Sequence, residues 1–305
     1  MENYSRKVAR TIVPMPLEAG TVVIIPARNE EKTIGQVISE TRRFTTNVVV
    51  VDDQSGDSTA RIGLQFGAKV IPTAGPVGYG NALRTGFEYA KSCGFSTIVT
   101  LDGDGAHDPS DIGALHAAHL RTRSSVTIGD RFARGDPTII PSTKRLANHF
   151  ASHLVHRVLG ISLRDVACGL RCIAATMVDQ LLKTRTSPGF GILVELLKLA
   201  SMEPGSIGSA PVDVRYNATE LLCTKQRELL DLLCALAQEL DPSSELSLLL
   251  ARLNTTVDEF QPVTVVLPDV VLCVLPIYET RGYVFQAQHA SLRNQTIGEV
   301  LDFGK

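Results

Sequence analysis

The chain has 305 residues, 44% hydrophobic and 20% charged, with a formal net charge of −2, the composition of a globular protein of one large or two smaller domains. This near-neutral balance excludes the global basic field of a nucleic-acid-binding protein, and no apolar run approaches the roughly 18–20 residues that span a bilayer. The N-terminal Met1-Glu-Asn-Tyr-Ser-Arg-Lys lacks the apolar core of a signal peptide, so the six cysteines are expected as reduced thiols in the cytoplasm. Cys168 and Cys172 have no second pair to complete a zinc site.

Residues 21–26, Thr-Val-Val-Ile-Ile-Pro, are an apolar, β-branched run that reads as a buried strand. A polar loop, Ala27-Arg-Asn-Glu-Glu31, leads into a helix over 33–43, in which Ile34, Val37, Ile38 and Thr41 share one face. Residues 47–53 form a second strand ending in two carboxylates, and Gln54-Ser-Gly-Asp-Ser-Thr59 is turn chemistry with Asp57 placed to cap the next helix. A short strand over 69–72, a glycine-rich loop over 75–80 and a helix over 81–92 precede a fourth strand at 97–101. Such alternation specifies a mostly parallel sheet covered by helices on both faces.

The fourth strand ends abruptly in Asp102-Gly-Asp-Gly105. The ends near Pro26, Asp53 and Asp102 fall on one edge of the sheet, where open α/β sheets bind their ligands. Asp102 and Asp104 repel each other unless a cation lies between them, and hard ions such as Mg²⁺ or Mn²⁺ prefer oxygen ligands. An acidic surface loop is the alternative for this pair, and a helix cap the alternative for Asp53. A Rossmann dehydrogenase does not fit. Gly78-Tyr-Gly80 lacks a third glycine and follows the third strand rather than the first, and the acidic residues end strands instead of lying about twenty residues on.

Pro26-Ala-Arg-Asn-Glu30, Asp52-Asp-Gln-Ser-Gly-Asp-Ser-Thr59, Gly78-Tyr-Gly-Asn-Ala-Leu-Arg-Thr-Gly86 and Leu101-Asp-Gly-Asp-Gly-Ala-His-Asp-Pro109 resemble, in order and spacing, the motifs of family 2 glycosyltransferases. Within that family the chain resembles the branch containing dolichyl-phosphate and polyprenyl-phosphate sugar synthases. Ile128-Gly-Asp-Arg131, Asp165-Val-Ala-Cys-Gly-Leu-Arg171 and Ala210-Pro-Val-Asp-Val-Arg215 resemble further motifs of that branch, so the resemblance covers about residues 20–217.

The resemblance implies a GT-A fold, α/β with a mostly parallel sheet flanked by helices. It implies a metal-dependent, inverting transfer of a sugar from a nucleoside-diphosphate sugar to a polyprenyl or dolichyl phosphate. Mg²⁺ or Mn²⁺ would be held by Asp102 and Asp104, with Asp104 the principal anchor and Asp102 on either the metal shell or the ribose. Pro26, Arg28, Glu30, Val51, Asp53, Asp102, Gly103, Arg131 and Arg215 would form the nucleotide-sugar site. Asp104, Arg131 and Asp165 are the catalytic candidates, Arg131 facing the phosphates. Arg171 and Arg215 are candidates for the acceptor's phosphate. A phosphate acceptor is already ionised; a hydroxyl acceptor needs a general base, for which Asp165 and Glu195 stand first.

Two departures bear on this. The branch commonly has Gln where Ala106 stands, which leaves a third metal ligand open, with His107 adjacent. It also follows the Arg215 position with Gly-x-Ser-Lys, whereas here the chain runs Tyr216-Asn-Ala-Thr-Glu220, without the lysine. Transfer to a soluble hydroxyl acceptor, in polysaccharide or secondary-metabolite synthesis, and a sugar-nucleotide-binding protein without activity are the alternatives. A pyrophosphorylase would need a basic glycine-rich loop where Ala27-Arg-Asn-Glu30 stands.

Residues 142–160 read as an amphipathic helix with basic and histidine residues interleaved, which either covers the sheet or rests peripherally on a membrane beside a polyprenyl chain. The resemblance stops near residue 217, and the charge changes there. Residues 1–217 carry 24 basic against 20 acidic residues, and 218–305 carry 6 against 12. The tail reads as a small α+β module, 218–305, with helices over 221–240 and 245–254 and strands over 263–267, 270–275 and 283–288. Leu222, Leu229, Leu230, Leu233 and residues 236–240 make an apolar stripe too broad to leave in water. Either the catalytic domain or a second copy of the chain, in a homodimer, must cover it.

Overall fold

A computed structural model describes residues 16–134, 140, 142–184, 187–215, 235–236, 263–266, 270–277 and 282–289. Val22 to Ile25 are wholly buried in β1 (Thr21–Ala27) because that strand is hydrogen-bonded on both edges and covered on both faces. β2 (Val48–Asp52) and β3 (Lys69–Pro72) continue the sheet on one side, and β4 (Thr97–Thr100) joins on the other, all parallel. Runs of Val and Ile without alternation are what such doubly covered strands require, and each fully buried side chain contributes roughly 1.5–3 kcal/mol.

The crossovers are α1 (Ile34–Thr41), α2 (Thr59–Gln65) and α3 (Tyr79–Ser92). α1 buries Ile34, Val37, Ile38 and Thr41, the face its spacing predicts. α3 starts two residues earlier than the sequence suggests, because the glycines of its first turn fit against another loop. Asp57 lies one residue outside the flanking position of α2, yet its Oδ1 accepts the Thr59 N–H at 2.9 Å.

After β4 come a 3₁₀ turn (Pro109–Asp111), α4 (Ile112–Thr122), β5 (Val126–Asp130), α5 (Ser142–Leu159), β6 (Arg171–Ala174), α6 (Ala175–Leu181), α7 (Ile192–Ser201) and β7 (Ile207–Pro211). Among the described residues the main sheet has the order β3-β2-β1-β4-β6-β5-β7. β6 runs antiparallel between β4 and β5, whereas β7 runs parallel to β5. The sequence suggests a strand over 210–215; instead β7 ends at Pro211, where its partner β5 ends, and 212–215 leave the ladder to bond elsewhere.

α5 packs against α7 and β10 (Gly282–His289), with Phe150, Ala151, Leu154 and Val155 buried in the core. Its apolar face is therefore covered within the chain, the first of the two readings the sequence leaves open. No helix among the described residues is long and apolar enough to cross a membrane. Cys168 and Cys172 are buried free thiols, and burial pushes Cys168 up to about 12.

In the tail, β8 (Val263–Val266), β9 (Val270–Ile277) and β10 (Gly282–His289) form a separate antiparallel sheet. The helices expected over 221–240 and 245–254 lie outside the described residues except for helical Ala235 and Leu236. Leu236, one of the stripe leucines, is fully buried in the core of the same chain, so the chain itself covers that part of the stripe. The other stripe residues and the boundary at 217 lie outside the described residues.

α4 carries two buried histidines. His116 Nε2 lies 3.1 Å from Thr21 Oγ1, and His119 Nδ1 lies 3.0 Å from Thr127 Oγ1. Burial, helped by the neighbouring His116, pushes the His119 imidazole from 6.5 down to about 4. In the unfolded chain this ring takes a proton as pH falls below about 6.5, but the folded chain resists until about 4. The stabilising contribution is thus complete above the unfolded value and is lost on acidification through that window. The loss is up to about 1.4 kcal/mol per pH unit. Denaturant unfolding of His119→Gln should show a pH 7 to pH 5 loss smaller by about 1–2 kcal/mol than that of the unsubstituted chain. Equal losses would rule out His119 as the source.

Candidate active site

The sheet order turns around β1: β2 and β3 lie to one side and β4 to the other. At such a switch point the loops leaving adjacent parallel strands diverge and open a crevice. The loops after β1 and β2 are cross-braced. Asn29 and Gln54 both adopt left-handed backbone (φ 58° and 57°), costly for residues with a Cβ. The Asn29 side-chain oxygen accepts the Gly56 N–H at 2.8 Å, and the Gln54 amide donates to the Gly75 carbonyl at 3.0 Å. Pro26 pairs in register with Val51, and both are buried as the floor of the crevice. Arg28 is exposed at its mouth and Glu30 half-buried. Thr33 Oγ1 ties the two walls together, donating to the Gly103 carbonyl at 2.8 Å and lying 3.2 Å from Glu30 Oε2.

Asp53 is buried, and its carboxylate receives the Gly78 N–H, 2.9 Å from Oδ2 and 3.2 Å from Oδ1. The Gly80 and Asn81 N–H groups both turn to the Pro188 carbonyl, at 2.8 and 3.2 Å. A Cβ at Gly80 would collide with the Ser187 carbonyl, so only glycine allows this approach. These amides are therefore committed within the protein, and the glycine-rich loop serves as a joint between β2, α3 and residues 187–191.

Asp102 and Asp104 follow β4, both half-buried. Asp104 Oδ1 accepts the Ala106 N–H at 2.9 Å. Asp102 Oδ1 lies 3.2 Å from the Tyr79 hydroxyl, and Oδ2 lies 3.3 Å from His107 Nε2. A Cβ at Gly169 would collide with the Asp102 carboxylate. Residues 212–215 return across the edge to this loop: Val214 bridges His107, and the Arg215 N–H donates to the Ala106 carbonyl at 2.8 Å. Arg215 pairs with Glu40 at 2.6 Å and Asp108 at 2.7 Å, and lines a cavity of about 130 Å³ with Asp104 and His107.

Because β6 is antiparallel, its beginning rather than its end lies at the crevice edge, and the preceding loop brings Asp165 and Gly169 there. Asp165 meets Arg131 in a two-pronged pair, Nε–Oδ2 2.7 Å and Nη2–Oδ1 2.8 Å, and also accepts the Arg131 backbone N–H at 3.1 Å. Burial pushes the Asp165 carboxyl up, but the Arg131 charge and hydrogen bonds outweigh it and hold it below the usual range. The neighbours cross over: Arg164 Nε lies 3.1 Å from Asp130 Oδ2. Two consecutive Asp–Arg pairs thus bolt the end of β5 to the loop before β6. Glu195, the other candidate base, accepts the Ser187 N–H at 2.7 Å.

Arg171 is not at the crevice. It is fully buried and donates to the backbone carbonyls of Val166 at 2.6 Å, Cys168 at 2.9 Å and Leu193 at 3.4 Å. The sequence offers it for an acceptor phosphate, but its guanidinium braces the loop that carries Asp165 and Gly169. Sequence reasoning misses Tyr79 and Gly169 altogether. Both lie inside the quoted motifs, but only folding brings them to Asp102.

Residues 22–180, just over half of the chain, match the profile of Glycosyl transferase family 2. A glycosyltransferase, AglJ, of Haloferax volcanii is 32% identical over 60% of this chain and 58% of its own length. A UDP-N-acetylglucosamine–dolichyl-phosphate N-acetylglucosaminyltransferase of Methanococcus voltae is 27% identical over 64% of this chain and 85% of its own. A polyprenol monophosphomannose synthase of Mycolicibacterium smegmatis is 24% identical over 63% and 76%. Among solved structures, glucosyl-3-phosphoglycerate synthase of Mycobacterium tuberculosis superposes with a TM-score of 0.53 at 20% identity, over 81% of this chain and 84% of that one. That likeness fixes the GT-A fold. With its motifs gathered on one sheet edge, the chain belongs to glycosyl transferase family 2 and is a glycosyltransferase similar to the polyprenyl-phosphate sugar synthases.

Proposed function

We propose that the chain transfers a sugar from a nucleoside-diphosphate donor to a polyprenyl or dolichyl phosphate, inverting the anomeric carbon. An acceptor phosphate oxygen forms the new bond to C1 as the bond from C1 to the donor's β-phosphate oxygen breaks. One displacement of this kind inverts the configuration. The observation that carries the reading is the commitment of Asp165, the first candidate base, to Arg131. Asp165 is held ionised by Arg131, and Glu195 accepts a backbone N–H. A phosphate acceptor carries its own negative charge and asks for no base, whereas a hydroxyl acceptor would. The relatives named for dolichyl-phosphate and polyprenol substrates support the same acceptor class.

Asp102 and Asp104 suit a hard divalent ion whose remaining ligands are diphosphate oxygens and water, the common manner of Mg²⁺ and Mn²⁺ binding. No all-protein cage of three or more such side chains occurs among the described residues. A bound cation would offset the charge growing on the departing diphosphate. One solved neighbour, the mycobacterial synthase, was crystallised with Mn²⁺, UDP-glucose and phosphoglyceric acid. The Asp165 pair orients the Arg131 fork, and the crossover pair at Asp130 steadies the backbone that carries it. Asp53 anchors the glycine loop beside the nucleotide.

Nucleoside-diphosphate sugars should be screened with Mn²⁺ by thermal shift, then tested for turnover with polyprenyl phosphate and with hydroxyl acceptors in parallel. A ligand at 100 times its Kd adds about 2.7 kcal/mol of stability. Transfer only to hydroxyl acceptors would overturn the acceptor assignment, and the absence of any donor-dependent shift or turnover would overturn the donor assignment. Asp104→Asn should keep its fold and lose most turnover, since a neutral amide cannot balance a divalent cation; near-normal Mn²⁺-dependent turnover would sink the metal assignment. Arg131→Lys keeps the charge but loses the fork. It should lower kcat roughly 10–100-fold, about 1.4–2.7 kcal/mol, with donor KM little changed. A rise in KM alone would place Arg131 in ground-state binding.

A further inference from the structure

Asp102 is approached by donors from two independent elements. Tyr79 opens α3, and its ring stacks on Phe190 with centroids 4.2 Å apart and planes 6° from parallel. Stacking restricts the ring and delivers the hydroxyl to Asp102 Oδ1 at 3.2 Å. His107 lies in the same loop as Asp102, is 2% exposed, and is held by the backbone bridge to Val214. Its Nε2 is 3.3 Å from Asp102 Oδ2. Two acceptors would repel at that distance, so Nε2 carries the proton and donates. Its other nitrogen, Nδ1, is buried with no hydrogen-bond partner among the described residues. Buried polar atoms are seldom left so, and those that are tend to sit where function over-rules stability.

We infer that Tyr79 and His107 form a two-sided clamp on the Asp102 carboxylate and act as positioning residues for sugar transfer, an inference that rests on the donor-site reading above. Oδ1 of Asp102 faces the Tyr79 hydroxyl and Oδ2 the His107 ring, while the missing side chain at Gly169 leaves just the room the carboxylate needs. The clamp spreads the charge of Asp102 beside Asp104 and stops the carboxylate from rotating. Asp102 is therefore held toward the donor in one fixed orientation.

The test is a set of variants assayed with the donor that the wild-type chain turns over in the presence of Mn²⁺. Tyr79→Phe keeps the ring stack and loses only the hydroxyl. It should lower kcat about tenfold with donor KM within about twofold, the split expected of lost orientation rather than lost binding. His107→Gln, whose amide N–H replaces the ring donor, should retain much of the activity that His107→Ala loses. In an Asp102→Asn background Tyr79→Phe should cost nothing further. Equal losses in both backgrounds, or unchanged kcat in Tyr79→Phe, overturn the clamp.

A ligand-free readout separates this from the donor-site reading. The chain has six tyrosines and no tryptophan, so tyrosine fluorescence is directly visible. Asp102→Asn should alter that emission, and should alter it no longer when Tyr79→Phe is already present. If the wild-type chain turns over no donor, the donor-site reading fails and this comparison alone decides the clamp. An emission change that survives Tyr79→Phe overturns it.

Discussion

Two carboxylates separated by one glycine repel each other, and the architecture around Asp102 and Asp104 answers that repulsion before any ligand arrives. Asp104 receives a backbone N–H from its own loop, and Asp102 receives a phenol and an imidazole. Each of those donors is itself held. The phenol stacks on Phe190, and the imidazole's backbone is bridged by the segment that follows β7. The loop after β1 reaches the same place through Thr33 and Gly103. Elements distant in sequence therefore converge on one short loop, and its conformation depends on all of them. Such a loop is pre-organised, which is where electrostatic catalysis finds most of its advantage.

The antiparallel β6 has a purpose in this scheme. In an all-parallel sheet the loop before a strand lies at the edge away from the ligand. Reversing β6 brings the loop over residues 162–170 to the ligand edge, where Asp165 meets Arg131 and Gly169 meets Asp102. A buried cation braces that loop through its backbone carbonyls. Arg171 sits under it with no ion pair to a carboxylate among the described residues and spreads its N–H groups over three backbone carbonyls. Burial draws the Arg171 guanidinium below its ordinary value, though the anions and polar groups around it, Tyr79, Asp165 and Asp102 among them, oppose that. A guanidinium remains charged under such conditions. The buried charge thus supports the loop mechanically and the two aspartates electrostatically.

Local signals made much of this legible. The Val and Ile runs of β1 and β2 announce doubly covered strands, and the spacing of Ile34, Val37 and Ile38 gives the buried face of α1. The motif aspartates and glycines can be placed together at one sheet edge because strand ends and tight turns are properties of a few consecutive residues. Partnerships are not. That Arg131 belongs to Asp165, that Asp53 serves Gly78, and that Arg171 faces inward are decided by chain crossings of tens of residues. The histidine-rich pattern of α5 has the amphipathicity of a surface-seeking helix, yet Phe150, Leu154 and Val155 are buried in the core. Amphipathicity records that a face must be covered and says nothing of what covers it.

The balance of charges at the crevice bears on which acceptor the site can serve. Arg131 is matched by Asp165, Arg164 by Asp130, and Arg215 by both Glu40 and Asp108. A carboxylate already neutralised by a guanidinium and shifted toward ionisation is a poor proton acceptor, because taking a proton would break the pair and leave a buried cation alone. This is what the proposed reaction asks of the site, since there an anionic acceptor is the nucleophile and an anionic diphosphate the leaving group. The protein's part is then to hold fixed dipoles and fixed ions around them. The paired and clamped side chains at this edge are suited to that work.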